Sequence, residues 1–105
     1  MTISEFRAEI CEELDDACKY IKKALMIKTE YPEWAKRYVD RSAVELSHAT
    51  ESYKMFEDFF DRIIKNFSEN EKAAMPWLKE TKEEIVELYT DKYAKVKTMH
   101  ELFNK

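Results

Sequence analysis

Residues 32–67 read PEWAKRYVDRSAVELSHATESYKMFEDFFDRIIKNF, and the periodicity of this stretch decides the fold. Ala35, Val39, Ser42, Leu46, Ala49, Tyr53, Phe56, Phe60, Ile63 and Phe67 recur in steps of three and four, which keeps them on one face of an α-helix. Pro32 suits the first turn, where its missing N–H would have had no partner. The spacing predicts a helix over 32–67, roughly 50 Å long at 1.5 Å per residue.

Toward the amino terminus, Ile3, Phe6, Ile10, Leu14, Ala17, Ile21 and Ala24 form a second stripe, and Thr2 with Glu5 fits a capping box. A helix over about 3–28 follows, linked to the next by residues 29–31. Toward the carboxyl terminus, Ser68 and Glu71 form another capping box before Pro76. Residues 68–75 read as a turn with a short helical piece. Leu78, Ile85, Tyr89, Tyr93, Val96, Met99 and Phe103 then predict a helix over about 76–103. Short links make sequential helices antiparallel neighbours. The expected fold is all-α: one domain over 1–105, with three long antiparallel helices in an up-down-up bundle.

Composition agrees and excludes several functions. The 105 residues are 45% hydrophobic and 38% charged, as suits helices that bury one stripe and solvate the rest. There is no glycine, so phosphate-cradling loops and dinucleotide fingerprints are ruled out. The 18 basic and 22 acidic residues are intermixed along the chain without a dense basic stripe, which disfavours nucleic acid. No apolar run is long enough to span a membrane. Cys11 and Cys18 lie seven residues apart on the outer side of helix 1, too far for a disulfide within the chain. Free thiols, with no signal-peptide layout, point to the cytoplasm. An interchain disulfide is the alternative.

The informative residues are polar ones near the apolar stripes. On helix 1, Glu13 projects about 50° from the stripe centre, and on helix 2 Glu45 projects about 40°. His48 follows Glu45 by three residues, so both side chains lie on one side of the helix, about 5–6 Å apart. Two carboxylates and an imidazole bordering one interhelical space are a candidate metal site. Burying an ionised carboxylate is costly without a cation or several donors. The plain alternative is structural: Glu13 and Glu45 neutralised by Lys82 or Lys92 from helix 3. Tyr20 and Tyr53 read as amphipathic core residues, and His100 near the chain end as a residue without a site role.

From Glu13 to Phe56 the chain resembles the first helical hairpin of the ferritin and rubrerythrin superfamily. There a Glu is followed seven residues later by Tyr, then by Glu-x-x-His-Ala on the next helix. Glu13, Tyr20, Glu45, His48 and Ala49 stand in that order. The remainder of the chain, especially residues 91–97, is similar to small uncharacterised proteins of Gram-positive bacteria and their phages. The first resemblance implies a di-iron or di-manganese carboxylate site, with zinc as a substitute occupant. It implies that Glu45 bridges, that Glu13 and His48 are terminal ligands, and that Tyr20 is a hydrogen-bonding or redox neighbour. It also implies at most a ferroxidase-like or peroxidase-like activity.

The departure from that pattern lies in helix 3. Glu80, Glu83, Glu84, Glu87 and Asp91 all project away from its stripe, while Lys82, Lys92 and His100 point inward. One chain therefore carries half a site, to be completed by a two-fold dimer, as encapsulated ferritins are understood to do. The competing expectation is a non-catalytic acidic helical protein that binds a protein partner. Trp34, Trp77 and the aromatic face of helix 2 would then serve as the interface. No nucleophile–base pair is evident, which argues against hydrolases.

Overall fold

The computed structural model describes residues 1–105, all helical apart from short links. Three long helices, α1 (Ile3–Ile27), α2 (Pro32–Lys65) and α4 (Pro76–Phe103), flank a short α3 (Glu69–Ala73). Both capping boxes form. The Thr2 hydroxyl accepts from the Glu5 N–H while the Glu5 carboxylate accepts from the Thr2 N–H, and Ser68 and Glu71 do the same at α3. Pro32 and Pro76 open α2 and α4, where a residue without an N–H forfeits nothing. The boundaries fall within two residues of those read from the pattern, the usual fraying at helix ends.

Pairs of touching residues show how the helices run. Phe6 meets Phe56 and Phe59, whereas Ala17 meets Ser42 and Tyr20 meets Tyr38. Numbers thus fall along α2 as they rise along α1. Along α4 they rise together with α1: Arg7 pairs with Glu84, Asp15 with Lys92, and the Lys28 ammonium with the Phe103 carbonyl. The result is a rod 61 Å long and 19 by 16 Å across.

The core runs the length of the rod and is thin. Phe6, Ile10, Leu14, Ala17, Ile21 and Ala24 of α1 are buried, against Ala35, Leu46, Ala49, Phe56 and Phe60 of α2. From α4 only Leu78, Ile85 and Val96 are buried. Alanines at 17, 24, 35 and 49 have no exposed surface, and so small a side chain lets the α1 and α2 backbones approach closely. Phe56, also without exposed surface, packs among Phe6, Tyr53 and Phe60. Burying such a ring contributes about 1.5–3 kcal/mol. α4 meets α2 chiefly through longer side chains: Tyr53 and Tyr89 stack with centroids 4.1 Å apart, and Thr50 bonds the Tyr89 hydroxyl at 2.9 Å.

Several details depart from the sequence reading. Lys92 and Lys82 neutralise neither Glu13 nor Glu45. The Lys92 ammonium donates outward to Asp15 at 2.6 Å, and that of Lys82 lies 5.4 Å from the ring centre of Phe60. Long flexible stems carry a lysine charge to the rim even where Cα points inward. Cys18 is half-buried and packs against the core rather than facing outward, while both cysteines are free. His100 has a partner, Ser42, on α2. Ser52, outside the predicted stripe, is buried. No helix is long and apolar enough to cross a membrane.

Candidate functional site

Glu13, Glu45 and His48 come together at mid-height on the side of the α1–α2 pair. The steps that align the apolar stripe also set these residues one position aside from it, so each reaches the seam rather than the core. Glu13 is half-buried, and the buried Ser52 donates its hydroxyl to Glu13 Oε1 at 2.6 Å. Glu45 Oε1 lies 3.7 Å from His48 Nδ1 on the same helix. The Glu45 side chain is 24% exposed and that of His48 56%, so the seam is shielded while the imidazole stands in water.

Electrostatics tie the three together. Burial pushes the Glu13 carboxyl above its usual range, the Ser52 hydrogen bond pulls it partly back, and the charges of Glu9 and Glu45 raise it further while His48 lowers it. A carboxyl in this position binds a proton or a cation more readily than a solvated one. Ser52 occupies one Glu13 oxygen, which leaves the other free. In a single chain, however, no three or more His, Cys, Asp or Glu side chains are arranged to hold a metal ion. One chain alone therefore does not fit a complete carboxylate centre.

The ring of Tyr20 packs beside that of Tyr38, with centroids 6.2 Å apart. No hydrogen bond ties it to Glu13, Glu45 or His48. Ser52 is the site residue that the apolar pattern missed. It stands one heptad after Glu45, so its place on the same face was available as a signal.

A second polar cluster sits near the carboxyl end of α4. Ser42 has no exposed surface, and its hydroxyl donates to the Ala17 carbonyl at 2.7 Å. That hydroxyl therefore accepts from His100 Nε2 at 2.8 Å, which places the imidazole proton on Nε2. A serine whose proton is held by a carbonyl and whose oxygen is shut from solvent is no nucleophile. This pair joins three helices and carries no chemistry. Compared with family models, with curated proteins and with solved structures, the chain finds no significant match.

Proposed function

We propose that the protein binds a divalent metal ion, iron or manganese with zinc as a substitute, at a site shared between two copies in the manner of ferritin-like bundles. Each copy contributes Glu13, Glu45 and His48. The observation that carries this reading is the grouping of two carboxylates and an imidazole on one seam, with the Glu13 carboxyl unsettled by burial and by Glu45. Such a group gains most from a cation brought by a second copy. Carboxylate oxygens with one imidazole suit iron, manganese or zinc.

The test is metal content and mass in solution for protein purified without an affinity tag and loaded anaerobically with Fe²⁺. We expect about one metal ion per chain in a dimer, lost in Glu45→Ala and Glu13→Gln with the helical content unchanged. A metal-free dimer after loading would sink the reading.

A second reading has its own support. The Ser52 hydroxyl already satisfies Glu13, so the seam is also consistent with an acidic helical protein that binds a protein partner and performs no reaction. Equal mass and stability of the Glu45→Ala and unsubstituted proteins, with no metal in either, would favour it.

A further inference from the structure

Net charge changes sign from segment to segment along the sequence, and the fold gathers the like-signed segments at opposite ends of the rod. A plane across the rod at Asp15, Glu45 and Lys92 separates residues 16–44 and 92–105 from residues 1–15 and 45–91. The first half holds 11 Lys or Arg against 5 Asp or Glu, a charge of +6. The second holds 7 against 17, a charge of −10, and together they make the chain's −4. In the basic half, Lys19, Lys22, Lys23, Arg41 and Lys95 line one groove of about 690 Å³. None of these five has a carboxylate within ion-pair distance. The molecule is a charged dipole 61 Å long.

We propose that two copies pair side by side and antiparallel along the α1–α2 seam, the basic half of each lying against the acidic half of the other. A parallel pair would set +6 beside +6 and −10 beside −10, and like charges brought together cost affinity. End-to-end contact also matches opposite signs, but the rod's end, 19 by 16 Å, offers only about 300 Å², well below the roughly 800 Å² per partner of a stable interface. Its flank, 61 by 16 Å, offers about 1,000 Å², enough to qualify. A separate polyanion suits the basic half less well, because the chain carries its own complement at the same length scale.

The seam provides the apolar surface. Trp34 is 56% exposed and Met55 57%, with Tyr38 and Phe59 half-buried beside them. A two-fold axis beside Leu46 and Ser47 faces each α2 residue with one equally far beyond the axis. Trp34 then meets the partner's Phe59, Tyr38 meets the partner's Met55, and Glu45 meets the partner's His48. This pairing does not require metal. It deepens the preceding proposal by naming the arrangement in which its two half-sites meet.

Cross-linking and salt dependence test it, with metal-free protein throughout. In a Cys11→Ser, Cys18→Ala background checked for helical content, a short bis-maleimide should join Val44→Cys to itself. It should join Arg37→Cys to Met55→Cys in a mixture, and leave Arg37→Cys alone unjoined. The dissociation constant of the unsubstituted protein should rise about tenfold between low salt and about 1 M salt, where the screening length falls to about 3 Å. Self-linking of Arg37→Cys would mean a parallel pair and overturn the proposal. So would a dimer indifferent to salt, or a monomer at tens of micromolar. A monomer that binds heparin would assign the basic half to an external polyanion. If the expected cross-links form and the dimer still takes up no metal after anaerobic Fe²⁺ loading, only the metal reading falls.

Discussion

Ser42 gives its only proton to the Ala17 carbonyl and accepts one from His100, so a single hydroxyl joins α1, α2 and α4. Removing it in Ser42→Ala leaves the His100 N–H without a partner in a half-buried position and costs about 1–3 kcal/mol, measurable as a shift of the urea midpoint. The imidazole also makes stability depend on pH. Burial first, then the charge of Lys97, holds the His100 pKa below its ordinary value of 6.5. The unfolded chain therefore binds this proton at higher pH than the folded one. The stabilisation from the neutral imidazole is complete above the unfolded pKa and is lost as pH falls from there toward the folded value. Glu13 acts in the opposite sense: its pKa is raised, so its burial is least costly when protonated, and that relief fades as pH rises through the folded value. Urea titrations at pH 7.5 and at pH 5.5 should show a loss of stability on acidification that shrinks in His100→Gln, whose amide can still donate to Ser42. An unchanged pH dependence in that variant would remove His100 as its source.

Among the three long helices, α4 is the least anchored. It buries three residues in 28, whereas α1 buries six in 25. Its ion pairs with α1, Arg7–Glu84 and Lys92–Asp15, are exposed and contribute about 0–1 kcal/mol each. They set the register of the helix more than they hold it. Local opening follows the density of buried apolar contact. Native-state hydrogen exchange should therefore find the amides of α4 opening at lower free energy than those around Ile10, Leu14 and Phe56. Equal protection along all three long helices would show that the Tyr53–Tyr89 stack and the Ser42–His100 bond couple α4 fully to the rest.

For the whole molecule, thinness is the governing property. A rod 16 Å deep has a core one side chain thick, and its flank keeps Trp34, Val44 and Met55 more than half exposed. The proposed pairing would cover this flank and so link stability to concentration. The thermal midpoint should rise by about 3–5 °C for each tenfold increase in protein concentration, given roughly 4–8 °C per kcal/mol for a chain of this size. Calorimetry across two decades of concentration checks this, and a constant midpoint would indicate a stable monomer.

The helices themselves were legible in the sequence, because they depend on local rules. Apolar steps of three and four, proline at a first turn and a capping box each act within a few residues, and each recurs in the structure at the predicted place. The candidate site was legible only in part. Glu13, Glu45 and His48 could be placed on faces, but the partners of buried polar groups come from other helices. Ser52 answers Glu13, Ser42 answers His100, and Asp15 draws Lys92 to the rim. The charge polarity is tertiary in part: residues 1–15 and 45–91 are already net acidic and residues 16–44 and 92–105 net basic along the chain, and the antiparallel packing gathers the like-signed segments into opposite halves of the rod. Local sequence determined which segments are helical and which face each buries. Only their packing decided which polar groups meet and how charge is distributed over the rod, because those depend on distances between residues far apart in the chain.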